Sequence, residues 1–154
     1  MEQTLYTALG GADVVAALAR AWHARVLADP VVSHAFSHGF HPAHEERLAA
    51  YLGEVLGGPA TFTGGARPLG TESQVVRDHS GNGEHPEMDD RAIACWQAAL
   101  VDVGVPEDAV LHARLRDWFA WATRVQMAAY PRSAEDVPDG LARPTWTWDG
   151  PPAT

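Results

Sequence analysis

The sequence predicts an all-α fold of four main helices with short connections, extended by a non-helical C-terminal segment. Three observations predict it. Apolar residues recur at helical spacing in four long stretches. Glycine and proline clusters separate those stretches. No stretch alternates apolar and polar residues in the manner of a strand, so the pattern is that of a helix-on-helix domain. At 154 residues the chain is long enough for one domain with a real core, and too short to expect two.

Leu5-Tyr-Thr-Ala-Leu-Gly-Gly11 reads as a brief helical turn closed by two glycines. Ala12 to Ala28 carries Val14, Val15, Leu18, Trp22 and Val26 at helical spacing, and Asp29-Pro30 breaks it, because the residue before proline avoids helical dihedrals. Val31 to Phe36 suits a short turn of helix, and Ser37 to Pro42 a loop. A second long helix is expected from about Pro42, a good first helical residue, to Leu56, with His44, Leu48, Leu52 and Val55 on one face and Gly57-Gly-Pro59 closing it. Ala60 to Gly70 reads as an irregular connection and Thr71 to His79 as a short helix. The third long helix spans about Glu87 to Val103, with Ala92, Cys95, Trp96, Ala99 and Val103 on one side. The fourth spans about Pro106 to Tyr130, with Leu111, Leu115, Trp118, Phe119, Ala122 and Val125 inward. After Pro131 the period is lost. Ser133 to Thr154 is rich in proline, aspartate and glycine, yet holds Trp146 and Trp148, whose apolar area favours an arm packed on the body or on a partner. The domain reading is therefore 1–131 for the helical domain and 132–154 for the extension.

Composition excludes several function classes. The formal net charge is −9, and every basic residue is arginine. An acidic chain argues against non-specific nucleic-acid binding and against anionic membrane surfaces. No apolar run reaches membrane-spanning length. Met1-Glu-Gln-Thr shows no basic region leading into an apolar one, so no signal peptide is visible and the default location is cytoplasmic. Cys95 is the only cysteine, which rules out an internal disulfide; it reads as a small buried apolar residue.

Eight histidines are many for such a chain. His34, His38 and His112 read as surface residues. His79 stands at the end of the short helix, followed at once by Ser80-Gly-Asn-Gly83, whose glycines let the backbone turn away. A neutral imidazole so placed can offer a ring nitrogen to a metal; on local sequence alone a histidine there is more often a loop or cap residue than a ligand. A di-iron site in a helical bundle needs Glu-x-x-His pairs at matching depths, and none occurs. The zinc-protease pattern His-Glu-x-x-His is absent too. Haem needs only one protein ligand and a large apolar pocket. A non-haem metal-binding helical bundle remains the alternative.

Several stretches together resemble a truncated haemoglobin, a 2-on-2 globin, of group II. Leu5-Tyr6 with Leu9-Gly-Gly11 is similar to that family's opening, and Trp22-His-Ala-Arg-Val-Leu-Ala-Asp-Pro30 to its helix ending in Asp-Pro. His44-Glu-Glu-Arg-Leu-Ala-Ala-Tyr-Leu52 resembles its distal helix, and Leu56-Gly-Gly-Pro59, the most specific motif, the glycine pair that closes it. Met88 to Leu100 resembles the helix after the proximal histidine. The likeness covers about residues 4 to 128, and the order and spacing of the motifs carry it.

The resemblance implies a 2-on-2 helical sandwich holding haem b, iron protoporphyrin IX, that binds dioxygen or another diatomic gas (O2, NO or CO). His79 falls at the proximal position, with His85 as its rival. His44 on the distal helix and His23 are the candidate catalytic residues, either of which could face a ligand in the pocket or occupy the sixth iron site. Phe36, Leu48, Leu52, Ala92 and Trp96 would line the cofactor, and Arg47 and Arg77 would pair its propionates. NO dioxygenation and peroxidation are the candidate reactions, with electrons from a separate reductase; the oligomeric state stays open. Two departures bear on the distal side. His23 stands where the family places a tyrosine, and Ala92 where group II members place a tryptophan, with Trp96 one turn later. The Gly-Asn-Gly turn and the tryptophan-bearing tail are not part of the family's common pattern.

Overall fold

The computed structural model describes residues 3–153. Met1 and Glu2, half of the stretch read above for a signal peptide, and Thr154 lie outside the described residues. The helices are α1 (Leu5–Leu9), α2 (Ala12–Ala28), a 3-10 helix (Val32–Phe36), α3 (His44–Val55), α4 (Glu72–Asp78), α5 (Pro86–Asp102), α6 (Val110–Trp121) continued by a π-helical turn (Ala122–Gln126), and a 3-10 turn (Ala134–Asp136). No strand occurs among the described residues, so the all-α expectation holds.

Helix α2 packs on α3 and on α5, α5 packs on α6, and α1 closes one end against α2 and α6. Leu18, Val55, Leu56, Leu100 and Leu115 are fully buried between them. The Gly-Gly motif after α3 has a steric cause. Gly57 has φ +97°, and a Cβ on Gly58 would lie 2.6 Å from a ring carbon of Tyr6 and 2.7 Å from the Gly53 carbonyl oxygen. Only glycine lets α1 lie across the end of α3, where the Tyr6 amide donates to the Leu56 carbonyl at 2.9 Å.

Asp29 shows why α2 stops where it does. Its carboxylate accepts the amides of Val31 at 2.8 Å and Val32 at 2.9 Å and receives Arg91 of α5 at 3.1 Å. The Val32 amide above all holds this carboxyl below the usual range.

Two expected helices start late. Helix α3 begins at His44 rather than Pro42, because the His41 Nδ1 accepts the Ala43 amide at 2.9 Å and holds a turn ahead of the helix. Helix α6 begins at Val110 rather than Pro106, since the Ala109 amide closes a turn on the Pro106 carbonyl at 3.1 Å. Helix α6 also ends early. The Met127 amide reaches the Ala122 carbonyl at 2.8 Å, one residue beyond α-helical spacing. This turn leaves Val125 exposed instead of inward and brings Gln126 onto the carboxylate of Glu72. His112 corrects the surface reading: it is 2 % exposed, on the α6 stripe shared with Leu115 and Trp118. Cys95 is half-buried rather than enclosed, and burial pushes its thiol up.

The C-terminal segment is an arm packed on the body. Trp146 is buried, its ring stacks on Trp118 with centroids 5.8 Å apart and planes 8° apart, and its amide donates to the Val55 carbonyl at 2.7 Å. The Trp118 indole donates to the Thr147 carbonyl at 2.8 Å, and the Trp148 indole to the Gln3 carbonyl at 2.6 Å. Arg143 meets the buried carboxylate of Glu54 at 2.7 Å.

The same segment clasps α4. The Ser73 hydroxyl donates to the Pro138 carbonyl at 2.8 Å and accepts the Leu141 amide at 3.0 Å. Arg77 donates to the Val137 carbonyl at 3.1 Å and pairs with Asp139. Beyond the helix, the Gly81 and Gly83 amides donate to the Tyr130 and Pro131 carbonyls at 3.0 and 2.9 Å.

Glu54 gives a pH-dependent prediction. Burial pushes its carboxyl up, but the Thr63 hydroxyl at 2.6 Å, the Thr63 and Phe62 amides at 3.0 and 3.1 Å, and Arg143 outweigh it, and the net shift is downward. A depressed carboxyl contributes stability above its unfolded value near 4.5 and loses it as pH falls through the folded value. Glu54→Gln is therefore expected to cost about 2 kcal/mol at neutral pH. Paired urea titrations down the acid range should show the gap closing below about pH 4.5.

Candidate functional site

His79 follows directly on α4, as its C-cap. Its Nδ1 lies 2.7 Å from the Val75 carbonyl oxygen, one turn back. A carbonyl can only accept, so Nδ1 carries the proton and Nε2 keeps its lone pair. That is the tautomer a metal-ligating histidine needs, with the ring fixed by its second nitrogen. The ring is exposed; α4 takes the 3-10 turn Ala134–Asp136 as its principal partner and meets α3 at its first residue, where Tyr51 donates to Glu72. His85, the rival, caps the start of α5 with its Nδ1 2.9 Å from Asp89.

Away from α4, on α2, α3 and the 3-10 helix with the loop after it, four rings form a box. His23 of α2 and His44 of α3 lie with centroids 4.6 Å apart. Phe36 stands 5.3 Å from His23 and 5.2 Å from His44. Phe40 closes the box at 4.7 Å from His23 and 5.7 Å from His44. The expected trio His23, His44 and Phe36 is thus brought together. Phe40 and Glu45 complete it unforeseen, although Phe40 sits four residues after Phe36 and Glu45 directly after His44.

The box has an unusual polar balance. His23 is 2 % exposed, and its Nδ1 lies 3.3 Å from Oε1 of Glu45, whose side chain is 42 % exposed. The Nε2 atoms of both His23 and His44 are buried with no hydrogen-bond partner. Buried polar nitrogens are normally paired, and two orphans in one box mark a place where a further group belongs. Burial lowers the His44 pKa, and the charge of His23 lowers it further. The charge of His79 acts in the same direction, so the α4 imidazole lies within electrostatic reach of the box.

The remaining expected residues divide. Leu52 is buried and Leu48 half-buried against the main core. Ala92 is buried beside Val26 and Val32, with Phe36 against them, and its carbonyl accepts the Trp22 indole N–H at 3.2 Å. Trp96 does not compensate for the missing tryptophan at Ala92. Its indole N–H is committed to the Leu115 carbonyl at 3.1 Å, and its ring stacks on Phe119 at 4.4 Å. Both arginines already have partners: Arg47 lies over the Phe62 ring at 5.7 Å, and Arg77 holds the C-terminal segment.

Sequence reasoning missed a second buried polar group. The Tyr51 hydroxyl donates to the Glu72 carboxylate at 3.0 Å, and the Gln126 amide donates to the same group. Burial pushes Glu72 up despite these donors, and burial next to that carboxylate raises the Tyr51 phenol.

The residues fit haem. One imidazole with its Nε2 free, and within its electrostatic reach a box of aromatic rings with two unsatisfied nitrogens, is the donor set of a group needing a single protein ligand. The alternative of a bare ion lacks its ligands. Among the described residues, no three histidine, cysteine or carboxylate side chains converge. Nor is any described helix long and apolar enough to cross a membrane.

Comparison with known proteins agrees. The family model for bacterial-like globins matches residues 4–120. Two solved structures are similar. One is a triple mutant of ASV-TfTrHb, 26% identical, covering 92% of this chain and 99% of its own, with a TM-score of 0.61. The other is the haemoglobin of the thermophilic phototrophic bacterium Chloroflexus aurantiacus, 27% identical, covering 82% of this chain and 98% of its own, with a TM-score of 0.66. No curated protein matches the chain. With the all-helical architecture, these findings make the chain a member of the bacterial-like globin family, a truncated globin that binds haem.

Proposed function

We propose that His79 is the proximal ligand and that the ring box of His23, His44, Phe36 and Phe40 is the distal pocket of a haem enzyme for a diatomic gas or peroxide. NO dioxygenation and peroxidation are the reactions this pocket suits, with electrons drawn from a separate reductase. The location proposed is the cytoplasm. The observation that carries the reading is the pair of unpartnered Nε2 atoms on one side of the pocket. Haem supplies reversible gas binding and redox chemistry when bound.

The protein's own residues supply the protons. Glu45 accepts at its end, so the neutral His23 ring holds its proton on Nδ1 and presents Nε2 as an acceptor. Burial disfavours the charged form of His44, and the Nε2 of its neutral ring can serve as a donor to the same space. The two rings thus offer complementary roles a few ångströms apart. A second proton on His23 turns its Nε2 into a donor as well. The half-exposed Glu45 carboxylate connects that ring to solvent, giving protons a way in. Phe36, half-buried, and Phe40, half-exposed, pack edge-on against the pair. A storage protein needs one donor to hold its gas; a pocket wired to solvent through a carboxylate suits turnover.

Two measurements test this. His44→Leu removes the donor and is expected to speed oxygen dissociation about tenfold, the loss of one hydrogen bond, read by stopped flow. Glu45→Gln keeps the shape but lets an amide N–H face Nδ1 and reverse the His23 tautomer. Peroxidase turnover is expected to fall about tenfold or more, with the absorption spectrum of the reduced carbon monoxide form unchanged. A stable oxygen complex with negligible turnover in the wild-type protein overturns the enzymatic reading in favour of storage.

A further inference from the structure

Helix α4 is only seven residues long. A helix so short has little stability of its own and takes its position from what holds it. At its first residue, Glu72 meets Tyr51 of α3 and Gln126; its other polar holds all lie on one side. The Ser73 hydroxyl, the Arg77 guanidinium and the two amides of the glycine turn that follows His79 all bind backbone between residues 130 and 141. Ser73 is 2 % exposed, and its hydroxyl serves as donor and acceptor at once, bridging two points of the same segment. The His79 ring is tied by its Nδ1 to the Val75 carbonyl inside α4, so any displacement of α4 moves the imidazole with it. The chain of connection runs from the C-terminal segment to α4, from α4 to Val75, and from Val75 to the ring. The family model ends at residue 120, before this segment begins.

We propose that the segment 130–141 is a strap that sets the position of the His79 imidazole, with Ser73 and Arg77 as its positioning residues. The strap bears on whatever His79 ligates, and so rests on the proximal reading given above. It assigns the C-terminal extension a role at the haem rather than in bulk stability alone. It also gives Arg77 a role other than pairing a propionate.

The test uses the full-length protein with haem bound. Ser73→Ala removes the bridging hydroxyl without adding bulk. Hydrogen exchange of the α4 amides is expected to quicken about tenfold, the effect of losing one buried hydrogen bond, while the α5 amides keep their rates. The iron–histidine stretching band of the reduced protein, read by resonance Raman, is expected to shift or broaden. Unchanged α4 exchange together with an unchanged band overturns the strap, as does a uniform quickening across α4 and α5, which reports only global destabilisation. Should Ser73→Ala fail to fold, Asp139→Asn keeps the experiment alive, because its side chain is 93% exposed and its partner is Arg77; a smaller change in the same two readouts is then expected, and no change overturns the proposal. If α4 exchange quickens but neither protein shows an iron–histidine band that His79→Ala abolishes, the hold on α4 stands and the proximal assignment falls.

Discussion

His79→Ala is expected to purify without the Soret band of the wild-type protein and to take up added haemin more than about a hundredfold more weakly, since even losing a hydrogen-bond partner of a metal ligand costs about ten- to a hundredfold. The expectation follows from the arrangement of α4. The ring is exposed, its Nδ1 is fixed on Val75, and its Nε2 keeps its lone pair. His23 and His44 belong to α2 and α3, and neither stands on α4 in its place. Absorption titration with haemin measures the loss directly. His85→Ala serves as the counterpart and is expected to keep its colour, since His85 is engaged with Asp89 at the start of α5. Pigment retained by the first variant and lost by the second would make His85 the ligand.

Trp146→Ala is expected to lower stability by about 3–5 kcal/mol, the range for deleting a large buried aromatic. The ring is 3 % exposed, lies face to face with Trp118, and meets Trp96 edge-on at 6.4 Å. Its removal would leave a cavity against two rigid indoles that cannot collapse into it. Chemical denaturation followed by tryptophan fluorescence checks the value. A cost below about 1 kcal/mol, the range of surface substitutions, would mean the arm is peeled away in solution. Trp148→Ala is the milder comparison, since Trp148 is only partly buried and holds Gln3 through its indole N–H.

Much of the architecture was legible because helical periodicity and backbone breakers act locally. Helix α2 has the bounds that its apolar spacing and the Asp29-Pro30 break imply. The late starts of α3 and α6 were not legible, because they depend on a histidine side chain and on a turn that outcompete proline's preference for a helix start. His112 was legible in principle, since it shares the helical stripe of Leu115, but its polarity masked a buried position. At the site, His23, His44 and Phe36 were read from the family likeness, and the structure places them side by side. Glu45 could not be weighed, since nothing in a sequence tells which solvent-facing carboxylate curls back onto a buried ring. Trp96 shows the opposite failure. Its helical position suggested the pocket, yet the carbonyl of Leu115 and the face of Phe119 claim it from another helix. Buried clusters such as Tyr51, Glu72 and Gln126 come from three distant stretches and have no local signature at all.

The widened turn at Ala122–Gln126 has a consequence for how this chain tolerates length change. One extra peptide unit in a helix advances everything after it by about 100° of rotation and 1.5 Å of rise. Excising a single residue there would return the run to ordinary winding and swing Gln126 off the Glu72 carboxylate, leaving that buried group to Tyr51. The phase of one coil therefore sets where the chain leaves the body, and with it the footing of every bond that the last two dozen residues make.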